Sequence, residues 1–142
     1  MGLKQIDYGS NEYKKLLELR YAILREPLGL GFDVEELQKE KDYLHIAAFE
    51  EDDLLGGCML IDVGKSTLQL RQMAVKDNLQ GKGIGASIIQ FAENLSRDKG
   101  YRKIIMHARD SAIGFYEKFG YVTKGDVFME VNVPHHVMEK LI

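Results

Sequence analysis

A glycine-rich loop between a strand and a helix constrains this chain more than any other feature. The segment Leu70–Ala86 reads LRQMAVKDNLQGKGIGA. Glycines just before a helix let the backbone approach a ligand closely and direct free N–H groups at it, and the positive end of the helix dipole adds to that field. The pattern therefore predicts a binding site for a phosphate or pyrophosphate.

The strand before this loop and the helix after it both have regular patterns. A regular strand would direct two sets of side chains to opposite faces of a sheet: Leu68, Leu70, Gln72 and Ala74 to one, and Gln69, Arg71, Met73 and Val75 to the other. A helix is predicted from about Gly83 to Lys99, because its apolar residues recur at helical spacing on one stripe. Gly100 is a suitable C-terminal stop for that helix.

The rest of the chain completes an alternating pattern of strands and helices. Further strands are predicted over Leu3–Tyr8, Tyr43–Phe49, Leu54–Val63, Thr67–Val75, Lys103–His107, Tyr121–Lys124 and Val127–Val133. Pro134 is expected as a break before a last extended piece, His135–Lys140. Helices are predicted after Ser10 or Asn11 until Pro27, after Asp33, and after Asp110-Ser111 until Gly120.

We therefore predict an α+β fold in one domain, residues 1–142, around a mixed, mostly antiparallel sheet. The element order is β-α-α-β-β-β-α-β-α-β-β. The strand Lys103–His107 follows a helix and is expected to lie parallel to Thr67–Val75, since such crossovers join parallel strands.

Composition narrows the class of protein. The 142 residues carry a net charge of −3, which argues against general nucleic-acid binding. No apolar run approaches the roughly 20 residues of a membrane span, and no signal-peptide pattern opens the chain. A lone cysteine, Cys58, excludes an internal disulfide and a cysteine-based zinc cluster. We expect a cytoplasmic protein without a metal, nucleic-acid partner or membrane contact.

Gly81-x-Gly83-x-x-Ala86 also satisfies a loose dinucleotide-binding pattern, with Asp110 as an acid for the ribose. That alternative predicts an NAD-dependent oxidoreductase. It requires a strand that ends at the first glycine, whereas Lys76–Gln80 intervene. It is therefore the less favoured interpretation.

Two motifs together resemble the GNAT superfamily of N-acetyltransferases. Gln80-x-x-Gly83-x-Gly85-Ala86, after the strand Leu70–Val75, is similar to the acetyl-CoA signature of that family. The segment Ala112–Tyr121, with Phe115-Tyr116 and Phe119-Gly120-Tyr121, is similar to its closing helix and strand. The element order resembles the family fold along nearly the whole chain, and the tail and an early arginine segment resemble the ElaA-like branch more weakly.

The resemblance implies a site for acetyl-CoA as co-substrate. Its pyrophosphate would bind the loop residues Gln80, Gly81, Lys82, Gly83, Ile84, Gly85 and Ala86. The backbone of Met73, Ala74 and Val75 would pair with the pantetheine arm, and a bulge would separate this strand from Lys103–Arg109. A main-chain N–H near Met73 or Ala74 would stabilise the oxyanion.

Tyr116 is the candidate general acid. A tyrosine pKa near 10 and a thiol pKa near 8.5 allow proton donation to a departing thiolate. Without the resemblance, a core aromatic role between Phe115 and Phe119 would be the preferred interpretation.

The general base is left open among four residues: Glu26, His107, Glu130 and His135. Cys58 could carry an acetyl group in a ping-pong route, but a small buried hydrophobe is the better interpretation, and direct attack in a ternary complex is favoured. Adjacent His135 and His136 would point to opposite faces of a strand and do not form a metal site.

Arginines at three positions have open roles. Arg109 stands where the family often has an asparagine on the pantetheine, and it could meet a phosphate or a helix cap. Arg20 and Arg25 could meet a carboxylate on the acceptor, although ordinary surface charges are the preferred interpretation.

The acceptor is predicted only as a primary amine on a small molecule or peptide, and the resemblance allows a homodimer through the closing strands. The alternative from another class is a non-catalytic acyl-CoA-binding module.

Overall fold

A seven-stranded sheet runs through the protein, with helices on both faces. The computed structural model describes residues 1–142. Its strands are β1 (Gly2–Ile6), β2 (Leu44–Glu50), β3 (Asp53–Gly64), β4 (Thr67–Val75), β5 (Lys103–Arg109), β6 (Val122–Glu130) and β7 (Val133–Leu141). Its α-helices are α1 (Asn11–Arg20), α2 (Val34–Lys39), α3 (Ile84–Asp98) and α4 (Ile113–Glu117). The predicted α+β fold and element order are confirmed.

The strands are arranged in the order β1-β2-β3-β4-β5-β7-β6. Only β4 and β5 run parallel, as predicted, and all other neighbours are antiparallel. The parallel pairing extends only from Thr67 opposite Lys103 to Leu70 opposite Met106. Beyond this point the two strands no longer pair.

Two adjacent glycines in β3 define the two faces of the sheet. A Cβ on Gly57 would lie 2.7 Å from Leu16 of α1, whereas a Cβ on Gly56 would lie 3.1 Å from Ile88 of α3. Since neighbouring residues of a strand point to opposite sides, α1 and α3 cover opposite faces. The larger core lies on the α3 face and the smaller one under α1. None of the helices combines the length and apolar character that crossing a membrane requires.

A bulge in β4 overturns the predicted alternation of its side chains. Gly57 pairs with Ala74 but Met59 pairs with Arg71, so Cys58 is opposed by two residues. Gln72, inside the bulge, has a left-handed φ of 58°. One extra residue in a strand sends each later side chain to the opposite face of the sheet. Met73 and Val75 therefore pack against the larger core with Leu68 and Leu70, not on the opposite side as a regular strand would place them.

The segment after Gly120 also differs from the sequence prediction. Val122–Glu130 is one strand, with a break in its register between Lys124 and Phe128, where Gly125 has φ 73°. Pro134 does not end a strand but lies near the start of β7, opposite Met129 and beyond the last residue that pairs with β5, so that it interrupts no pairing with β5. Asp110 caps no helix: its carboxylate lies 2.8 Å from Nδ1 of His136.

A buried ion pair fixes the chain after α1, and its burial contradicts the prediction that Arg20 is a surface charge. Arg20 donates two hydrogen bonds to the carboxylate of Glu40, at 2.7 and 2.8 Å, and both residues are buried. The hydroxyl of Tyr13 donates a third, at 2.8 Å. Burial by itself raises the pKa of Glu40, but the bonds from Arg20 and Tyr13 outweigh it and hold the pKa below its usual value.

We expect Glu40→Gln to lower the free energy of unfolding by about 3–5 kcal/mol, because Arg20 then stays buried without a counter-charge. Urea unfolding at neutral pH measures this change. Glu18→Gln, on the exposed side of α1, is the matched control and should change stability by less than about 0.5 kcal/mol.

The pH dependence of unfolding is a second test of the contribution that this ion pair makes to stability. Because the folded-state pKa of Glu40 is lowered, its stabilisation is complete above the unfolded-state pKa of about 4.3 and is lost as the pH falls below that value. The stability difference between wild type and Glu40→Gln should therefore shrink in acid. A difference that is constant from pH 7 to pH 3 would contradict this role for the ion pair.

Candidate active site

The separation of β4 from β5 opens a cavity of about 450 Å³ that reaches both faces of the sheet. Its apolar part is contributed by residues of the larger core: Leu70, Met73, Met106, Ala108, Ala112 and Tyr116. Its polar part is formed by Gln69, Arg71, His107 and Arg109 of the two strands, Gln72 of the bulge, Arg25 after α1, and Glu130 and His135 of the closing strands. Leu24 and Val131 complete the lining.

Alternation along β5 assigns the polar part to the α1 face. Met106 and Ala108 belong to the core on the α3 face, so His107 and Arg109 point to the opposite side. His135 pairs with Arg109, and paired residues in adjacent strands point to the same side. The cavity therefore has an apolar side towards α3 and α4 and a charged side towards α1.

One edge of β4 is free inside the cavity. Its pairing with β5 ends at Leu70, while Ala74 and Val75 remain paired to β3 on the other edge. Of the predicted pantetheine segment, Met73 lines the cavity, and Ala74 and Val75 continue β4 beyond it without pairing to β5. An unpaired strand edge can accept another extended chain through main-chain hydrogen bonds.

The predicted phosphate loop lies just beyond this edge, at the start of α3. Gly81 and Gly83 have φ of 83° and 84°, a conformation that strongly favours glycine. The first helical hydrogen bond runs from Ser87 N–H to Gly83 O, at 3.1 Å. The N–H groups before Ser87 are those that a helix leaves unpaired at its N-terminus, as an anion site requires.

The other loop residues have different surroundings. The Gln80 side chain donates to Val75 O at 3.2 Å, which ties the loop to the end of β4. Lys82 is exposed. A Cβ on Gly85 would lie 2.9 Å from Cζ of Phe115, so this glycine allows α4 to pack against α3. Ile84 is buried in the larger core.

Tyr116 lies at the apolar side of the cavity and is buried. Its ring contacts Phe115 and Tyr121 edge-on. Burial, and to a smaller extent the nearby Cys58, raise the pKa of its hydroxyl. No side-chain hydrogen bond of the protein uses this hydroxyl, and Tyr116 lines the cavity, so the hydroxyl is available to donate a hydrogen bond to a bound group.

Three of the four candidate bases meet at the charged side. His107 Nδ1 lies 3.0 Å from Glu130 Oε1, and His135 Nε2 lies 3.7 Å from Glu130 Oε2. Phe128 contacts both imidazole rings, edge-on to His107 and stacked on His135. Glu26 does not line the cavity. The chain thus forms a His–Glu–His cluster that separate strand positions did not indicate.

The arginines of the cavity differ from their sequence interpretation. Arg109 meets neither a helix cap nor another side chain but donates to Leu24 O at 3.3 Å, which attaches β5 to the segment after α1. Arg25 is half-buried over the ring of Phe32 and lines the cavity, so it is not an ordinary surface charge. The sequence did not identify Arg71 as a residue of the site, because its place in a strand predicts only which face of the sheet its side chain points to.

Cys58 is 1% exposed and lies opposite the bulge, away from the lining of the cavity. Burial raises the pKa of its thiol to about 12. A protonated, inaccessible thiol is a poor nucleophile. The preferred interpretation of Cys58 as a buried hydrophobe agrees with this environment.

Comparison with known proteins adds a family to this geometry. The acetyltransferase (GNAT) domain family matches residues 33–142. A Bacillus subtilis (strain 168) protein whose name describes an acetyltransferase is 27% identical to this chain. The alignment is 143 positions long, gaps included, and covers 99% of this chain and 96% of that protein.

Solved structures share the fold at low sequence identity. An aminoglycoside 6'-N-acetyltransferase complexed with coenzyme A superposes with a TM-score of 0.84 at 19% identity, covering 99% of this chain and 97% of that one. Escherichia coli ElaA superposes with a TM-score of 0.81 at 19% identity, covering 99% of each chain.

The environment of Cys58 predicts that its thiol resists alkylation in the folded protein. Iodoacetamide at pH 8, followed by mass spectrometry, should modify the native chain at least about 100 times more slowly than the urea-unfolded chain, because only about one thiol in ten thousand is ionised at pKa 12 and the side chain is inaccessible. Rapid native labelling, or an acetylated Cys58 after incubation with acetyl-CoA, would contradict this assignment.

Proposed function

The chain belongs to the acetyltransferase (GNAT) domain family and is an acyltransferase, and we propose that its residues 1–142 form one such domain. In this proposal the enzyme moves an acetyl group from acetyl-CoA to a primary amine, and the amine attacks directly in a ternary complex. The observation that carries this proposal is the cavity between β4 and β5, which is lined by Met73 on the unpaired edge of β4 and by the buried Tyr116. A free thiol such as Cys58 fits a reducing compartment, and we place the enzyme in the cytoplasm.

The residues of the donor side fit acetyl-CoA. Main-chain N–H groups from Gly81 to Ala86 would hold the pyrophosphate, with Lys82 close enough in sequence to add charge. The free edge at Met73 to Val75 would pair with the pantetheine amides. The Oε1 atom of Gln72 is buried without a hydrogen-bond partner and lies at the cavity, where it can accept from an amide or an amine. The coenzyme supplies an activated acyl group when bound.

Two groups of the chain would stabilise the transfer. A main-chain N–H at Met73 or Ala74, on the edge that β5 leaves free, would donate to the carbonyl oxygen as negative charge develops on it. Tyr116 would donate its proton to the departing thiolate, which removes the charge from the leaving group. The apolar surroundings of Tyr116 exclude water and so strengthen this interaction.

The His107–Glu130–His135 cluster would accept the proton that the amine loses. A primary amine is mostly protonated at neutral pH, so a base must act before attack. His107 and Glu130 both line the charged side of the cavity, 3.0 Å apart, opposite the apolar side where Tyr116 lies. This arrangement supports an enzyme over a non-catalytic acyl-CoA-binding module, because it separates a base from an acid across one cavity.

The dinucleotide-dependent alternative has less support. A 3₁₀ turn, Asp77–Leu79, separates β4 from the first glycine, whereas a dinucleotide fold needs the strand to end there.

Ligand binding at the glycine loop gives the first test of this proposal. Coenzyme A and acetyl-CoA should raise the midpoint of thermal unfolding, and NAD should not, because a ligand that binds only the folded state stabilises it. Gly83→Ala should weaken acetyl-CoA binding about tenfold or more, since it distorts the loop that presents the N–H groups.

Gly100→Ala is the matched control for that variant. Gly83 and Gly100 flank the two ends of α3, both have positive φ, and an added Cβ meets nothing within 4 Å at either position. Each variant should therefore lose a similar stability, about 1–2 kcal/mol, while only the first loses affinity. Equal affinity losses at the two positions would show that strain, not the loop, determines binding.

The acid role of Tyr116 predicts a separation of rate from affinity. Tyr116→Phe should lower kcat about 100-fold or more, because proton donation to the thiolate is lost, while the affinity for acetyl-CoA stays within about twofold. Steady-state release of coenzyme A against a panel of amines measures kcat, and calorimetry measures affinity. Tyr101→Phe removes a remote hydroxyl, bound to Asp62, and is the control. An unchanged kcat would remove Tyr116 from the mechanism.

A further inference from the structure

The charged side of the cavity has an excess of positive charge that the protein itself does not neutralise. Arg25, Arg71 and Arg109 all line it, against a single carboxylate, Glu130. None of the ion pairs in the protein includes any of the three arginines. The chain as a whole is acidic, with a net charge of −3, so this local excess is not a consequence of its composition.

Arg25 lies close enough to Arg71 and Arg109 for their charges to act on its guanidinium group. Burial, and then the charges of Arg20, Arg71 and Arg109, lower the pKa of Arg25. The charge of Glu40 acts in the opposite sense on the pKa of Arg25, but this carboxylate is already bonded to both terminal nitrogens of Arg20. Glu130 is likewise occupied by His107 and His135. Mutual repulsion of this kind is relieved when an anion binds, because each guanidinium then gains a charge-assisted hydrogen bond.

Two of these arginine side chains are held in place by the protein, and the third can adjust to a ligand. Arg109 is fixed by its bond to Leu24 O, and Arg25 by its position over Phe32. Arg71 is exposed and its side chain makes no hydrogen bond within the protein, so its guanidinium can adjust to a ligand. Arg71 and Arg109 flank the cavity from β4 and β5, on the face opposite the core that carries Tyr116.

We propose, on the basis of the acetyl-transfer function inferred above, that the acceptor is a small primary amine that also carries an anionic group, a carboxylate or a phosphate, and that Arg25 and Arg71 bind this group. The amine then faces the single carboxylate of the cavity, Glu130, and its partner His107. A ligand with two opposite charges matches this distribution, whereas a polyamine meets three arginines and one carboxylate. A volume of about 450 Å³, shared with the end of the pantetheine arm, has room for a small amine of this kind.

Matched pairs of acceptors test this inference. Release of coenzyme A is measured with glycine against glycinamide, and with lysine against lysinamide and cadaverine, which differ only in the carboxylate. The compound 2-aminoethylphosphonate distinguishes a phosphate-like from a carboxylate preference. We expect kcat/KM for the anionic member of each pair to be about ten- to a hundredfold higher, as for a hydrogen bond between charged groups.

Arg71→Gln should lower this preference by about tenfold or more, mainly through the KM for the acceptor, and Arg25→Gln should do the same. Arg102→Gln makes the same charge change at an exposed position outside the cavity and should leave the preference intact. Circular dichroism and the thermal midpoint confirm that each variant is folded. Because the Arg71 side chain makes no hydrogen bond or ion pair within the protein, we expect Arg71→Gln to change ligand binding without changing the stability of the fold.

The outcomes distinguish this inference from the function on which it rests. Faster turnover of amides or polyamines than of amino acids would overturn the inference and leave the acetyl transfer standing. An Arg71→Gln variant that raises the KM for acetyl-CoA alone would also overturn it, by assigning the arginine to the donor. If no amine is acetylated, the transfer function fails. Calorimetry with N-acetylglycine against N-acetylglycinamide on the coenzyme A-loaded protein then decides the anion site, since equal affinities contradict it.

Discussion

The bulge at Gln72 is the constraint on which the site depends. A regular β4 would continue its pairing with β5, and no cavity would cross the sheet. One extra residue opposite Cys58 instead turns the strand and leaves its edge beyond Leu70 unpaired. The same residue moves Met73 and Val75 to the α3 face and leaves Arg71 on the α1 face. A single local irregularity thus creates the opening and also separates its apolar side from its charged side.

The charged side depends in turn on a buried ion pair that touches nothing in the cavity. Arg20 and Glu40 join the end of α1 to the chain just before β2 and so fix the intervening segment. Phe32, from the middle of that segment, contacts the guanidinium groups of both Arg20 and Arg25, whose Cζ atoms lie 5.2 and 5.7 Å from the centre of its ring. Arg25 lines the cavity, so the buried pair Arg20–Glu40, which does not line it, helps to position one of the charged groups of the cavity. A buried ion pair contributes little net stability, so its value here lies in fixing one geometry.

Sequence patterns predicted where the glycine loop, the strand before it and Tyr116 lie in the fold, but not how the charged side of the cavity is assembled, for a physical reason. The glycine loop, the free strand and Tyr116 lie within two short segments whose spacing is set by local geometry, so the resemblance and the chemistry of the residues agree. The charged side is assembled from five separate segments, and no local rule predicts that Glu130 meets His107 or that Arg25 meets Arg71. Arg20 illustrates the difference. Its helical spacing is compatible with exposure or burial, and only Glu40, twenty residues later, decides between them. The bulge was expected from the resemblance alone, because nothing in the sequence around Gln72 requires a left-handed residue.

The two-sided cavity also bears on the order of chemical events. Tyr116 lies on the side of the core, where burial keeps it protonated, and the His–Glu–His cluster lies on the opposite, charged side. In the mechanism proposed above, an acid and a base placed in this way would act on different partners: the acid on the leaving thiolate and the base on the attacking amine. A covalent acetyl-enzyme would require a nucleophile between them, and Cys58 lies behind the bulge, buried and without a neighbouring base. The arrangement of charges therefore favours direct transfer across the sheet, with the donor held by the backbone and the acceptor selected by side chains.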